Sequence, residues 1–130
     1  MQIFNTMTRQ KEEFTPQKEG EYRIYVCGPT VYNYIHIGNA RPMIVFDTLR
    51  RYLEYCGNKV YYVSNITDID DKLIKKGQVE GTSMQEVARK FEAEYIKDSD
   101  GLNVKTPTVR PSATEHIGEI IHIVKDLVDS

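Results

Sequence analysis

In the first half of the chain the pattern of apolar and polar residues changes from strand-like to helix-like and back again. Residues 23–27 (Arg-Ile-Tyr-Val-Cys) are β-branched and aromatic and stop at Gly28, which predicts a strand. A polar loop over residues 28–41 follows, and residues 42–56 then carry apolar side chains three and four apart, which predicts a helix with proline in its first turn. Residues 59–64 predict a second strand with apolar residues on both faces. Two strands joined through one helix form a βαβ unit, so the pattern predicts an α/β fold around a parallel sheet.

The second half of the chain predicts helices. A short polar helix over residues 68–76 is expected to stop at Gly77. Two capping boxes, Ser83-x-x-Glu86 and Ser112-x-x-Glu115, each precede an amphipathic stripe, the first ending before Gly101 and the second reaching Val128. We expect the chain to be cut short near the end of this last helix.

Three aspartates open the short helix, and they suit two interpretations. They could bind magnesium, or their negative charge could stabilise the positive end of the helix dipole, which is the interpretation we favour. The residues are Asp68, Asp70 and Asp71.

Composition narrows the class of protein without naming a function. The chain has 130 residues, 40% hydrophobic and 28% charged, with a formal net charge of −2, as in an ordinary globular domain. There is no apolar run of membrane-spanning length and no signal-peptide pattern, so we expect a cytoplasmic protein without a membrane partner. Its two cysteines are expected to be free thiols, with Cys56 in the core. The basic residues form only short separate groups, so charge alone does not predict a nucleic-acid surface.

The candidate functional element is the loop from Cys27 to Arg41, between the first strand and the first helix. Ligands bind at the carboxyl ends of parallel strands, and a helix amino terminus at that edge favours anions. The loop lacks both common glycine-rich phosphate motifs. It offers His36, able to donate a hydrogen bond, and Gly38, small enough to let a nucleotide approach the backbone. These groups suit a reaction at the α-phosphate of ATP, although a single loop histidine is more often a surface residue.

The longer strings carry a more specific signal. Residues 25–41, residues 65–72 (Asn-Ile-Thr-Asp-Ile-Asp-Asp-Lys) and the opening Ile3-Phe-Asn-Thr together resemble the cysteinyl-tRNA synthetases, a family of class I aminoacyl-tRNA synthetases, in unbroken register through the chain. The resemblance implies the first half of a Rossmann-like catalytic domain over residues 1–100. It also implies the helical start of the connective-peptide insertion over residues 101–130.

What the resemblance implies for single residues is a zinc, cysteine and ATP site. Cys27 matches the family's first zinc ligand, and a soft thiolate ligand on zinc would select cysteine over serine. His36 and Asn39 are implied as catalytic, with Asn39 standing where the ATP signature usually has its final histidine. The residues implied to contact cysteine are Cys27, Gly28 and Thr67. Those implied to contact ATP are Pro29, Thr30, Tyr32, His36, Gly38 and Asn39.

The resemblance further implies an ATP-dependent cysteine–tRNA ligase with zinc as its metal and ATP with magnesium, L-cysteine and tRNA(Cys) as substrates and partners. The remaining zinc ligands and the Lys-Met-Ser-Lys-Ser signature do not occur in the sequence. We therefore expect the chain alone to be inactive and to hold no stoichiometric zinc. We expect the intact enzyme to be a monomer and this chain, with uncovered apolar surface, to self-associate. Two alternatives are a related cysteine ligase with a non-tRNA acceptor and a non-catalytic nucleotide-binding or interaction module.

Overall fold

Two parallel strands form the centre of the computed structural model, which describes residues 1–130. Strand β3 (Glu21–Val26) pairs with β4 (Lys59–Ser64) from Glu21 opposite Lys59 to Val26 opposite Ser64. Helix α1 (Ile37–Tyr55) connects them. The predicted βαβ unit and the α/β fold class are therefore confirmed.

A third segment extends this sheet on the free edge of β4. Residues 108–113 run parallel to β4, with Ser64 N–H donating to the carbonyl of Val109 at 3.2 Å and Ile66 N–H donating to that of Pro111 at 2.8 Å. Nothing in the hydrophobic pattern predicted this segment, because it makes only a few ladder bonds and contains Pro111. The predicted domain boundary after residue 100 stays a prediction, but residues beyond it complete the sheet of the first unit.

A two-stranded hairpin lies at the amino terminus. Strands β1 (Gln2–Asn5) and β2 (Gln10–Glu13) pair in antiparallel register, and Arg9 between them has a φ of 59°. The hydrophobic pattern does not predict this hairpin. The second strand, Gln-Lys-Glu-Glu, has no apolar residue that would signal a strand.

Helix α1 begins five residues before its predicted start at Pro42. The side chains of His36 and Asn39 form a capping box that starts the helix at Ile37. Pro42 lies inside the helix, where its missing N–H removes one bond near the first turn without ending the helix. The predicted loop over residues 28–41 is therefore wrong at its end and stops at the cap.

Helix α2 (Asp71–Glu80) corrects a second prediction, that a helix over residues 68–76 would end at Gly77. Gly77 is buried inside the helix, and a Cβ there would lie 2.8 Å from the carbonyl oxygen of Thr82. The glycine allows the following chain to pack closely. The helix ends instead at Gly81, whose φ of 67° is the left-handed conformation common at helix ends.

The next two helices differ in how well the capping prediction holds. Helix α3 (Met84–Gly101) begins at the predicted Ser83 and Glu86 capping box. The predicted box at Ser112 does not form, and a 3₁₀ turn over Thr114–His116 precedes helix α4 (Ile117–Asp129). Thr114 instead donates from its backbone N–H and its hydroxyl to the carboxylate of Asp68.

Two apolar clusters make up the core. One lies between α2, α3 and the loop after β3 and contains Leu73, Val87 and Phe91; the other lies between α1 and the sheet and contains Leu53, Val60 and Tyr62. Cys56, predicted to be in the core, is exposed at the end of α1. On the opposite face of the sheet, Tyr25 and Tyr61 are exposed in this chain.

Helix α4 packs against almost nothing. Its apolar residues are exposed to solvent, from 38% for Ile117 to 79% for Val128. The apolar positions along α4 follow helical spacing, so the predicted stripe is present but uncovered in this chain. No helix combines the length and apolar character needed to cross a membrane.

Candidate functional site

The loop after β3 and the segment after β4 stay joined beyond the ends of the strands. Thr67 N–H donates to the carbonyl of Pro29 at 3.1 Å, and Val31 N–H donates to the carbonyl of Thr67 at 3.2 Å. Thr30 therefore pairs with Thr67. These bonds bring two separate parts of the predicted site, some forty residues apart in the chain, to one edge of the sheet.

Gly28 is fixed at this edge by a very close backbone approach. A Cβ at Gly28 would lie 1.7 Å from the carbonyl oxygen of Asn65, so no side chain fits. Its N–H donates to the side-chain oxygen of Asn65 at 2.8 Å. The predicted role of Gly28 in contacting cysteine is untested, but the structure shows why the residue must be glycine.

His36 is the amino-terminal cap of α1. Its Nδ1 accepts a hydrogen bond from Gly38 N–H at 3.0 Å, while the side-chain oxygen of Asn39 accepts one from His36 N–H at 3.1 Å. With Nδ1 acting as acceptor, a neutral imidazole carries its hydrogen on Nε2. His36 thus offers an N–H donor at the positive end of a helix dipole.

Gly38 is needed by this cap. A Cβ there would lie 2.8 Å from Cε1 of the His36 ring, so a side chain would displace the imidazole. From the sequence, Gly38 is expected to let a nucleotide approach the backbone, and this stays a prediction. The structure adds that the glycine lets the histidine ring fold over the start of α1.

A cavity of about 120 Å³ lies between the sheet, the start of α1 and α3. Of the predicted site residues, the structure brings five to its wall, namely Cys27, Gly28, Pro29, Gly38 and Asn39. His36 instead lines a separate open groove of about 560 Å³ between the start of α1 and the end of α3. Thr30, Tyr32 and Thr67 line neither, and the Tyr32 ring lies 5.2 Å below the Lys72 ammonium.

The far wall of the cavity contains residues that the sequence analysis missed. Tyr95 and Ser99 come from α3, and Lys105 and Arg110 come from the segment that returns to the sheet. No motif or spacing pointed to them. Their place depends on how α3 packs and on the pairing of residues 108–113 with β4.

Charges around the cavity are largely paired. The carboxylate of Glu54 accepts hydrogen bonds from Lys105 Nζ at 2.6 Å and from Arg50 at 3.0 Å, and the first of these holds the pKa of Glu54 below its usual value. Buried Asp47 accepts from Arg51 at 2.6 Å and from the backbone N–H of Lys105 at 3.1 Å. Burial raises the pKa of Tyr62, so this phenol stays neutral against the cavity.

Cys27 is exposed, and its thiol has a single polar neighbour, the carbonyl of Gly28 at 3.7 Å. An accessible sulfur suits a metal ligand, but zinc takes three or four protein ligands. No three His, Cys, Asp or Glu side chains of this chain are placed to hold a metal ion together. The residues present therefore do not form a zinc site by themselves. Among the three aspartates considered for magnesium, Asp70 caps α2 by accepting from Lys72 N–H at 2.8 Å.

A strand-end loop that leads into a capped helix across a parallel βαβ unit is the arrangement of a nucleotide-binding domain. Residues 13–130 match the family model described as the class I tRNA synthetase (C) catalytic domain, and the chain belongs to this family. Its fold is that of the amino-terminal portion of a Rossmann-like synthetase domain.

Individual proteins of known name are also similar to this chain. The chain is 59% identical over 129 residues to the cysteine–tRNA ligase of Clostridioides difficile (strain 630), 58% identical to that of Lachnospira eligens and 57% identical to that of Carboxydothermus hydrogenoformans. Each alignment covers 99% of this chain. The chain spans 27 to 28% of the length of these relatives.

Proposed function

We propose that this chain is the amino-terminal part of a cysteine–tRNA ligase, which activates cysteine with ATP and transfers the cysteinyl group to tRNA(Cys) in the cytoplasm. The observation that carries the proposal is the identity of 57 to 59% to proteins of that name over 129 residues. The geometry agrees with it. The capped start of α1 lies at the carboxyl edge of a parallel sheet, where Gly38 and Asn39 line the same cavity as the exposed Cys27, while the His36 ring lines a separate groove.

In this proposal His36 and the start of α1 act on the phosphates of ATP. The carboxylate oxygen of cysteine attacks the α-phosphorus while the bond to the leaving pyrophosphate breaks, and positioned donors stabilise the negative charge on the phosphate oxygens. His36 donates from Nε2, because Gly38 N–H holds Nδ1. Asn39 contributes its side-chain N–H₂ group, since its oxygen is used by the cap. Pro29, Thr30 and Tyr32 lie in the loop that leads to this cap, and they are the other proposed contacts to ATP.

Cys27 is proposed as one zinc ligand, completed by ligands outside this chain. When bound, the metal would supply a Lewis acid that selects a thiolate substrate. The side chain of the substrate cysteine would then lie near Gly28. Thr67, the other proposed contact to this substrate, is held at the same edge of the sheet by its backbone bond to Pro29.

A chimera tests the activity directly. Residues 1–129 replace the matching segment of the Clostridioides difficile enzyme, and cysteine-dependent ATP–pyrophosphate exchange and aminoacylation are measured. We expect an active chimera that Cys27→Ser inactivates, with Cys56→Ser as the matched control because that thiol is also exposed. An inactive but folded chimera, or one equally active with Cys27→Ser, contradicts the proposal.

ATP binding by this chain alone tests the role of His36. Calorimetry is expected to show saturable binding that His36→Ala weakens and His122→Ala leaves unchanged, since His122 is exposed on the uncovered helix α4. The chain alone is expected to show no exchange activity. An affinity for ATP that His36→Ala leaves unchanged indicates a binding site elsewhere and favours a non-catalytic module.

A further inference from the structure

Arg110 carries the one buried side-chain nitrogen or oxygen of this chain that has no hydrogen-bond partner. That atom is its Nε. Arginine is always charged and carries five N–H donors, so a buried donor without a partner is costly. Such a group in a folded protein calls for an explanation, and a bound water, a bound ion and a functional role are the usual ones.

This chain supplies no counter-charge. Arg110 forms no ion pair, and the carboxylates of Asp47 and Glu54 are taken by Arg51, Arg50 and Lys105. The guanidinium carbon lies 5.6 Å from the ring centroid of Tyr95, within the range of a cation–π contact. The terminal amino groups of the guanidinium form no hydrogen bond within the chain, so they stay available to an anion.

The backbone holds Arg110 firmly. The carbonyls of its two neighbours, Val109 and Pro111, accept from Ser64 N–H at 3.2 Å and from Ile66 N–H at 2.8 Å. Tyr95 is 6% exposed and belongs to the core of α3. Because its neighbours are bonded to β4, Arg110 loses little backbone conformational entropy when it binds a ligand.

Arg110 lines the cavity of about 120 Å³ described above. A cavity needs only about 10–15 Å³ of such volume to hold one water molecule, so this one has room for a small anionic group such as a carboxylate. Cys27, Gly28 and Asn39 line the same cavity, so its contents lie beside the proposed thiol and cap residues.

The geometry points to Arg110 as a binding residue for the α-carboxylate of the amino-acid substrate, held by the guanidinium on the wall of this cavity. The choice of an amino acid as the ligand rests on the proposed function. Arginine pairs with carboxylates through two parallel N–H···O bonds, which positions both oxygens at once. The residue thus orients the carboxylate that has to reach the α-phosphate.

The test follows the Nε–H resonance of Arg110 by nuclear magnetic resonance in the full 130-residue chain, identified by its loss in Arg110→Lys. L-cysteine, L-serine, cysteamine and inorganic phosphate are titrated separately. We expect a saturable shift with both amino acids and none with cysteamine, which lacks the carboxylate. Equal shifts with cysteamine, no shift with any amino acid, or a shift with phosphate alone would each overturn the inference.

Variants of Arg110 provide a second test, in which cysteine binding is measured from the resonance of the Gly28 amide on the same cavity. Arg110→Lys and Arg110→Met are expected to weaken cysteine binding by about tenfold or more, with Arg89→Met on the exposed side of α3 as the matched control. Unchanged affinity in a folded Arg110→Met refutes the assignment, and if that variant unfolds the comparison of cysteine with cysteamine in the unmodified chain decides. The result is independent of the chimera, because a carboxylate can bind at Arg110 whether or not the chimera activates cysteine.

Discussion

The close approach of Gly28 to Asn65 makes a single methyl group a severe perturbation. In Gly28→Ala the new Cβ would lie 1.7 Å from the Asn65 carbonyl oxygen, about 1.3 Å inside the 3.0 Å that real Cβ contacts essentially never breach. The obstacle is backbone on both sides, so no side-chain rotation relieves it. The ends of β3 and β4 must therefore move apart.

The cost follows from what that movement breaks. A separation of this size lengthens the Thr67 to Pro29 bond of 3.1 Å and the Val31 to Thr67 bond of 3.2 Å beyond hydrogen-bonding distance. Each such bond contributes about 1 kcal/mol, and overpacking adds about 1–3 kcal/mol. We expect Gly28→Ala to lower the free energy of unfolding by about 3–5 kcal/mol, a large share of the stability of a domain.

Thermal and urea unfolding followed by circular dichroism measure this loss. At this chain length about 3 kcal/mol corresponds to a Tm lower by about 10 °C. Gly101→Ala is the matched control, because a Cβ there meets nothing within 4 Å and alanine favours the helix by up to about 1 kcal/mol. A loss below about 1 kcal/mol for Gly28→Ala would refute the strand-end contact.

Three further predictions concern stability. Hydrogen bonds from the α3 cap lower the pKa of Glu86 to about 2, so its stabilising effect is present above pH about 4.5 and lost as pH falls towards 2; the difference in Tm between the unmodified chain and Glu86→Gln should shrink over that range. Leu73→Ala, at a fully buried position, should lower the free energy of unfolding by about 2–5 kcal/mol in urea titrations, whereas Ile74→Ala at a 44% exposed position should cost much less. Asp47→Ala should cost about 1.5–3 kcal/mol and speed amide exchange at Lys105, whose N–H it leaves without an acceptor; unchanged exchange would contradict this.

The βαβ unit could be predicted from the sequence because its signals are local. Two β-branched runs, a stripe at helical spacing and the Ser83 cap each act within a few residues. Helix boundaries were less predictable. Pro42 and Gly77 looked like a start and a stop, but a cap made by His36 and a close contact at Thr82 override these local preferences.

The candidate site, too, could be predicted from the sequence only in part. Motif residues from Cys27 to Asn39 identified the loop, and the family match agrees with the resemblance they carry. The proposed roles of these residues stay predictions. Arg110 carried no signal, since its importance lies in an unpartnered Nε on a cavity wall that only packing creates.

The sequence by itself determined the class of fold, the family and the loop that holds the candidate chemistry, because local periodicity and motif strings are written along the chain. Only the tertiary structure decided which residues face one another. It brings the backbone of Gly28 into close contact with that of Asn65 and pairs residues 108–113 with the sheet. It also places Arg110 and Cys27 on the wall of the same cavity. These arrangements depend on contacts between residues some 40 to 80 positions apart in the sequence, and no local pattern specifies such contacts.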